Sequence, residues 1–371
     1  MSRLQITTAK RIVIKIGSSS LTGKAGSQLD VTSIEKLANV VAECKSRGAD
    51  VVIVSSGAIA AGLAPLGLTS RPKDLATAQA AASVGQGLLI AAYTRSFAKH
   101  SITPSQVLIT TEDIVRRSHY QNVQRTLYRL LQLGVVPVIN ENDSVGTQEI
   151  RFGDNDRLAA LVALLIGADL LVLVSDIDAL YDAPPNQPGA KAIHEVEVIS
   201  DIENIVLGGA GTAGVGSGGM VTKVEAARIV TNAGIPMLLT SLADVDKSMN
   251  GAEFGTYFHA QASKTTSRLL WLAHATTTQG KLVLDAGAVT AILERGTSLL
   301  PAGVTAVHGD FIAGDAVELV GPDATVIARG LVAFDSEEIP VMLGRSTKEL
   351  ALALGPEYER ELVHRDDLVL L

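Results

Sequence analysis

The sequence lacks most of the residues and motifs that identify a hydrolase or a zinc protein. Its single cysteine, Cys44, excludes an intramolecular disulfide and a CxxC zinc site, and is typical of a reducing cytoplasm. The seven histidines show neither HxxxH nor HExxH spacing, so a zinc centre is not expected. Neither a GxSxG motif nor a Walker A Gly-Lys-Ser/Thr is present, which removes the usual signatures of serine hydrolases and P-loop NTPases.

A targeting or membrane-spanning segment is not evident either. The apolar run near the N-terminus is interrupted by Lys15 and reaches no small-residue cleavage site. The longest apolar window, residues 158–174, contains Gly167 and Asp169, so we expect a helix that turns into a strand. The sequence therefore predicts a soluble, cytoplasmic protein without a membrane partner.

The chain is long and apolar enough for two folded domains, with 371 residues of which 47% are hydrophobic. Its net charge of −8 is unevenly placed, because residues 280–371 hold 15 acidic and 7 basic residues and the preceding residues hold 24 of each. This acidic balance disfavours a surface that neutralises phosphates. We therefore do not expect a nucleic-acid partner.

Four segments share one layout, in which a helical pattern, a glycine, an apolar run and small polar residues follow one another. They read SRGADVVIVSSG, LQLGVVPVINEND, LIGADLLVLVSD and TNAGIPMLLTS. Glycine just past a helix supplies a left-handed cap, and the continuous apolar runs indicate buried strands. Together with the opening strand RIVIKIGSSS, they predict an α/β fold with a mostly parallel sheet between helix layers.

The pattern changes after about residue 265. Short strands there alternate with Gly, Asp and Pro turns, and one short helix is predicted at GAVTAILERG. This pattern is typical of a small β-barrel. We expect a catalytic domain at residues 1–265, a linker at 266–279, the barrel domain at 280–358 and a C-terminal tail at 359–371.

Polar residues follow the predicted strands at 17–20, 55–57, 140–143 and 175–176. In open α/β sheets, ligands bind beyond the carboxyl ends of the strands, so these four clusters are expected to share one edge. Lys15 lies inside the first strand, where burial is costly unless an anion meets its charge. Two explanations fit a lysine at this position: Lys15 faces an anionic ligand, or its strand lies at the sheet edge and its side chain reaches solvent.

The glycine-rich stretch GTAGVGSGGMVTK covers residues 211–223. It contains the letters GxGxxG, but no strand directly precedes it, which disfavours a dinucleotide fingerprint. Its backbone N–H groups and Lys223, at the start of the predicted helix KVEAARIVTNAG, would suit an anion. A loose surface loop with a chance lysine is the alternative.

The segment RFGDNDRLAA places Asp154, Asn155 and Asp156 at a predicted turn before a helix. Carboxylates there can orient lysines or bind a metal, or they can simply cap the helix. Two lysines, a glycine loop and an Asp-rich turn suit phosphoryl transfer, which depends on positioning and charge neutralisation. A carboxylate acceptor with a pKa of about 4.3 is already ionised at neutral pH and needs no general base.

Seven segments together resemble the amino acid kinase family and, within it, the glutamate 5-kinases that carry a C-terminal PUA domain. They read VIKIGSSSLT, VVIVSSGAIAAGL, VVPVINENDSV, FGDNDRLAA, VLVSDIDALY, GVGSGGMVTKVEAARI and GAVTAILERGTSLLPAGV. The resemblance covers nearly the whole chain in order. It implies the amino acid kinase fold for the first domain and a PUA barrel for the second.

The resemblance also implies roles for individual residues. Lys15 would contact the transferred phosphate, Lys223 would stabilise the nucleotide phosphates, and Asp156 would hold the two lysines in place. Asp154 matches an acid that either binds metal or organises the lysines. The implied substrate-binding residues are Ser56, Asp143 and Asn155, and the implied ATP-binding residues are Lys15, Ser175, Asp176, Ser217, Gly218, Gly219, Met220, Val221, Thr222 and Lys223. Arg151 stands where a lysine can occur, so its role stays open.

The implied activity is ATP-dependent phosphorylation of the γ-carboxylate of L-glutamate with Mg²⁺, the first step of proline biosynthesis. The implied partners are proline as a feedback inhibitor, further copies of the chain in a homo-oligomer, and glutamyl phosphate reductase through functional coupling. A sister kinase acting on another small carboxylate or phosphate is one alternative. An RNA-binding or regulatory PUA protein is another, against which the acidic C-terminal region argues.

Overall fold

The structure is a computed structural model of the chain. It describes residues 3–22, 28–110, 113–114, 117–145, 155–183, 187–200, 202, 218–261 and 278–371. The chain divides into two compact units. The first comprises Met1–Ile114 with Asn122–Thr265, and the second comprises Val115–Gln121 with Thr266–Leu371. The expected linker at 266–279 lies outside the described residues except for its last two positions.

An eight-stranded sheet forms the centre of the first unit. The described strands up to residue 261 are β1 (Arg11–Ile16), β2 (Asp50–Ser55), β3 (Pro104–Ile109), β4 (Val136–Glu141), β5 (Leu170–Ser175), β6 (Leu180–Tyr181), β7 (Ala192–Ile193), β8 (Glu195–Val196), β9 (Met237–Ser241) and β10 (Thr256–Phe258). Their order in the sheet is β3-β4-β2-β1-β5-β9-β10-β8, and β6 pairs separately with β7. The β9–β10 pair is antiparallel, whereas the other pairs in the large sheet are parallel.

The repeated layout seen in the sequence produces β2, β4, β5 and β9, so the prediction of a mostly parallel sheet is confirmed. The glycine before each strand has a positive φ: +76° at Gly48, +75° at Gly134, +60° at Gly167 and +77° at Gly234. Glycine adopts this left-handed conformation without a steric cost, which lets the chain leave a helix and enter the sheet at once.

Helices surround this sheet. The described ones up to residue 261 are α1 (Leu4–Thr8), α2 (Ser18–Leu21), α3 (Val31–Ser46), α4 (Ala58–Leu63), α5 (Leu75–Ala98), α6 (Arg117–Gln132), α7 (Asn155–Leu165), α8 (Gly218–Asn232) and α9 (Val245–Met249). One core joins α3, α5 and the strands, and it includes Leu37, Cys44 and Tyr93. Cys44 is thus a buried packing residue.

The longest apolar run is the end of α7 followed by β5, as predicted, and its described residues are almost entirely buried. Among the helices that the structure describes, only α5 is long and apolar enough to cross a membrane by length and hydropathy alone. Length and hydropathy are weak evidence for a membrane span, because buried helices in a protein core can be equally long and apolar. The buried side chains of α5, among them Leu89, Tyr93 and Phe97, pack into the core of the sheet unit.

The second unit contains a five-stranded mixed sheet around its own apolar core. Its strands are β11 (Gly280–Leu284), β12 (Val304–Gly309), β13 (Ala316–Val320), β14 (Val326–Leu331) and β15 (Leu368–Leu370), and its helices are α10 (Ala286–Arg295) and α11 (Thr347–Leu354). The predicted helix at GAVTAILERG is α10. The stretch 359–371, expected as a tail, contributes β15, which pairs antiparallel with β14 because Leu368 packs into this core.

Two glycines allow α4 and α5 to cross with their backbones in contact. A Cβ atom at Gly62 would overlap the carbonyl oxygen of Ala81, and one at Gly85 would overlap the carbonyl oxygen of Ala58. Backbone atoms cannot move aside as a flexible side chain can, so side chains are excluded from both positions.

We therefore expect Gly85→Ala to lower the free energy of unfolding by about 1–3 kcal/mol through overpacking. The matched control is Gly87→Ala in the same helix, where a Cβ atom would meet nothing within 4 Å. This substitution should raise stability by about 0.5–1 kcal/mol, because alanine has less conformational freedom to lose. Urea unfolding followed by circular dichroism measures both variants, and equal effects on stability would contradict the close contact.

Candidate functional site

The carboxyl ends of four adjacent strands, β4, β2, β1 and β5, form the edge at which the polar clusters meet. A cavity of about 530 Å³ opens there. Its polar and charged lining comprises Ser18, Ser19, Thr22, Ser56, Thr69, Ser70, Arg71, Asn140, Glu141, Asp143 and Asn155. Three of the four predicted clusters therefore share one cavity. The fourth, Ser175 with Asp176, lies at the end of β5 and does not line it.

Lys15, Asp156 and Lys223 form a buried ionic cluster. The Asp156 Oδ1 atom lies 2.5 Å from Lys15 Nζ, and its Oδ2 atom lies 3.2 Å from Lys223 Nζ. Thr222 donates a hydrogen bond from its hydroxyl to the same Oδ2 atom at 3.0 Å. Asp156 is 2% exposed and Lys15 is 7% exposed. One carboxylate thus joins residues from β1, α7 and α8.

The cluster carries a surplus positive charge. Burial alone would raise the pKa of Asp156, but the charges of Lys15 and Lys223 and the hydrogen bonds of Lys15 and Thr222 outweigh burial and lower it. Asp156 is therefore ionised at neutral pH, and two lysines face one carboxylate. A further anion can bind beside them without leaving any charge uncompensated.

The sequence left two explanations for Lys15: a bound anion, or a side chain that reaches solvent from an edge strand. The second explanation is wrong. The strand of Lys15, β1, is central, since it is flanked by β2 and β5. The residue that meets its charge in the structure is Asp156, so burial of this lysine by itself does not require a ligand.

Both helices of the cluster begin earlier than the sequence predicted. Asn155 and Asp156 belong to the first turn of α7 rather than to a turn before it. Helix α8 begins at Gly218, five residues before Lys223, so residues 218–223 are helical rather than loop. The first N–H groups of a helix have no partner within it, and carboxylates near them are stabilised by the helix dipole.

Asn155 lines the cavity and directly precedes Asp156 of the ionic cluster, so it lies between the two. Its side-chain nitrogen donates a 2.7 Å hydrogen bond to Ser56 Oγ and a 3.3 Å hydrogen bond to the Ser55 carbonyl. Its Oδ1 atom is buried and has no hydrogen-bond partner among the described residues. A buried acceptor without a donor is costly, so a ligand that brings a donor to this point is favoured.

Asp143 lies in the cavity wall, just after β4. Burial raises its pKa to about 6, although the charge of Arg71 opposes this shift. At neutral pH the carboxylate is mostly ionised, and it would bind a cationic group of a ligand.

Ser175 and Asp176 are joined by a hydrogen bond from the Ser175 hydroxyl to Asp176 Oδ1, 2.9 Å long. Of the implied ATP-binding residues, Gly218 to Lys223 form the first turns of α8. Asp154, Ser217 and Arg151 lie outside the described residues, as does the first half of the glycine-rich stretch.

Residues of α5 and of the segment before it support the site, and the sequence patterns did not reveal them. Gln86 accepts a buried 2.7 Å hydrogen bond from Asn140, and Tyr93 forms a 2.9 Å hydrogen bond with the buried Ser55. Arg71 lines the cavity from the segment between α4 and α5. The only available signal was the polar stretch TSRPKD between two apolar helices.

Within the described ranges, no group of three or more His, Cys, Asp or Glu side chains is arranged to hold a metal ion. Both oxygens of Asp156 are already engaged by the lysines and Thr222. Asp156 is therefore not free to bind a divalent ion, and Mg²⁺ commonly takes several of its oxygen ligands from bound phosphates and water.

Known proteins resemble this chain over its whole length. A protein of Streptomyces avermitilis named glutamate 5-kinase is 58% identical over 100% of this chain and 99% of its own length. One of Salinispora arenicola with the same name is 57% identical and is covered completely, as is this chain. Among solved structures, carbamate kinase from Giardia lamblia bound to AMP-PNP matches with a TM-score of 0.50 and 18% identity, covering 69% of this chain and 100% of its own. This last likeness shows the fold alone.

Two family models match successive parts of the chain, and each part corresponds to one of the two structural units. The PUA domain matches residues 280–351, which hold α10 and four strands of the five-stranded sheet, β11 to β14. The Amino acid kinase family matches residues 10–241, from the start of β1 to the end of β9, a range that holds the cavity and the ionic cluster. The chain therefore belongs to the amino acid kinase family and carries a C-terminal PUA domain.

Proposed function

We propose that this protein phosphorylates the γ-carboxylate of L-glutamate with ATP, giving L-glutamyl 5-phosphate and ADP. The buried cluster of Lys15, Asp156 and Lys223 at the edge of a polar cavity supports this most directly, because it offers positive charge where two anions must meet. The relatives reported above, named glutamate 5-kinase, match the full length of the chain.

The reaction needs charge neutralisation more than proton transfer. A γ-carboxylate oxygen of glutamate attacks the γ-phosphorus of ATP, the bond to the bridging oxygen breaks, and ADP leaves with the electron pair. The attacking carboxylate is already ionised, since its pKa is about 4.3. Lys15 and Lys223 would hold the two anions together and stabilise the charge on the transferred phosphoryl group.

Asp156 would act as a positioning residue for the two lysines. Its carboxylate contacts both Nζ atoms and is fixed by Thr222. Because it is buried and ionised, it stays bonded to them when the anions bind. The lysines are thereby held in place before substrate arrives, which lowers the cost of organising the site during the reaction.

Glutamate would lie along the strand ends, from β1 towards β4. Its γ-carboxylate would face Lys15, and its ammonium group would face Asp143 and the Oδ1 atom of Asn155, which has no hydrogen-bond partner among the described residues. Ser56 would complete this part of the site through its hydrogen bond with Asn155.

ATP would lie on the other side of the cluster, towards β5 and α8. Ser175, Asp176 and residues 217–223 would surround it, with the N-terminal turn of α8 facing the phosphates. Mg²⁺ would arrive with the nucleotide and screen the charge of its phosphate oxygens. Asp154 is a candidate to bind this ion or to orient the lysines.

The proposed reaction would begin proline biosynthesis in the cytoplasm. Proline has an α-carboxylate and a positively charged secondary amine where glutamate has its α-carboxylate and ammonium group, so it would compete for that part of the cavity and inhibit the enzyme. We further propose a homo-oligomer, and functional coupling to glutamyl phosphate reductase, which would consume the reactive acyl phosphate. The domain boundaries expected from the sequence are residues 1–265 for catalysis and 280–358 for the PUA domain; we extend the second to Leu371, because β15 belongs to its sheet.

The two alternatives have less support. A sister kinase for another carboxylate or phosphate would not explain the full-length similarity to glutamate 5-kinases. An RNA-binding role would not explain the cavity and the buried ionic cluster of the first unit.

The decisive experiment measures ADP formation by the full chain with L-glutamate, aspartate, acetylglutamate or UMP, each with and without proline. We expect turnover with glutamate to exceed that with the other acceptors by at least about tenfold, because the cavity must fit both ends of the acceptor. Preference for another acceptor would overturn the proposal.

Lys223→Ala should lower kcat at least about 100-fold, because it removes a charge that stabilises the transferred phosphoryl group. The fold should persist, since Asp156 keeps its pairing with Lys15. The control is Lys99→Ala, which breaks the surface pair with Glu35 and should leave kcat unchanged. Steady-state kinetics and circular dichroism test both variants, and normal turnover of Lys223→Ala would remove this lysine from the reaction.

Asp143→Asn should raise the KM for glutamate at least about tenfold, because the ammonium group loses a charged partner. In the unmodified protein Asp143 has a pKa of about 6, so lowering the pH through 6 protonates it and should raise KM in the same way. Glutamate itself keeps both carboxylates ionised over this range. KM measured from pH 5 to 8 should therefore vary in the unmodified protein and stay nearly constant in the variant.

A further inference from the structure

A glutamate molecule bound in the cavity needs a cationic partner for its second carboxylate, and Arg71 is the one that the described lining offers. The described lining contains two carboxylates, Glu141 and Asp143, and Arg71 is its one permanently charged cation. Glutamate brings two carboxylates of its own and one ammonium group. When the γ-carboxylate faces Lys15, the second carboxylate remains in a cavity that already holds two acids.

The strand order shows where this second carboxylate would be. Strand β2 lies between β1, which carries Lys15, and β4, which leads to Asp143. Adjacent strands are about 4.8 Å apart, so the ends of β1 and β4 are separated by roughly 10 Å. An extended glutamate that reaches from one to the other has its α-carbon, with both of its charged groups, near the end of β4.

Arg71 lies at that end of the cavity. It is exposed, it lines the cavity together with Thr69 and Ser70, and its charge acts on Asp143. The guanidinium group is planar and presents two parallel N–H donors that fit a carboxylate. An ammonium group beside Asp143 and a carboxylate beside Arg71 would each meet a group of opposite charge.

We propose that Arg71 binds the α-carboxylate of the amino-acid substrate and thereby selects acceptors that carry an amino-acid head group. This assignment rests on the proposed function. Arg71 would lie far from the transferred phosphoryl group, so it would govern the binding of glutamate and not the chemical step.

The test compares Arg71→Gln and Arg71→Lys with the unmodified protein in the full chain. Arg71→Gln should raise the KM for glutamate about tenfold or more and change kcat and the KM for ATP less than about threefold. Arg71→Lys should recover part of this loss, because it keeps the charge without the paired donors. The matched control is Lys73→Gln, an exposed cation two residues away that does not line the cavity, and it should leave all three constants unchanged.

A second measurement uses 4-aminobutanoate, which has the γ-carboxylate and the amino group but no α-carboxylate. Its inhibition constant against glutamate should be the same in the unmodified protein and in Arg71→Gln, whereas general damage to the cavity would weaken both ligands equally. Equal weakening of both ligands, or an unchanged KM for glutamate in Arg71→Gln, would overturn the assignment of Arg71. Absence of glutamate turnover in the unmodified protein, measured first, would instead overturn the proposed function, and this assignment with it.

Discussion

The proposed site depends on one buried carboxylate, Asp156, which contacts two lysines at once. An isolated charge at 2% exposure would be very unfavourable, so each of the three charged groups requires the others. Because Lys15 belongs to β1, Asp156 to α7 and Lys223 to α8, the ionic contacts also fix the sheet and two helices relative to one another. The same interaction supports both the local fold and the proposed chemistry.

The order of strands in the sheet determines where the other polar residues of the site lie. Four neighbouring strands end at one edge, so residues far apart in the chain become neighbours in the order β4, β2, β1 and β5. The polar cavity lies on one side of the lysines, and the residues proposed to bind nucleotide lie on the other. Acceptor and donor would therefore approach the surplus positive charge from opposite directions, as an in-line displacement requires.

Much of this arrangement could be predicted from the sequence, because it depends on local signals. The glycine, apolar run and polar end identify β2, β4, β5 and β9, and the location of a site at their carboxyl ends follows from the parallel topology. The edge strand β3 was not predicted, since Ser105 and Gln106 interrupt its apolar character. Arg71, which lines the cavity, and Gln86, which accepts a hydrogen bond from the cavity residue Asn140, were missed because only tertiary packing brings them there. The early start of α8 was hidden by two glycines that disfavour helix in isolation.

The crossing of α4 and α5 has a consequence for how such an enzyme can diverge. Ala58, Ile59, Ala60 and Leu63 of α4 form one wall of the cavity, and Gly62 and Gly85 hold that wall against α5 with no space between the backbones. The wall therefore cannot retreat towards α5 to admit a bulkier acceptor. On this side of the cavity, changes of acceptor preference would fall to the connecting segment after α4, whose side chains at 69–71 line the cavity without taking part in the crossing.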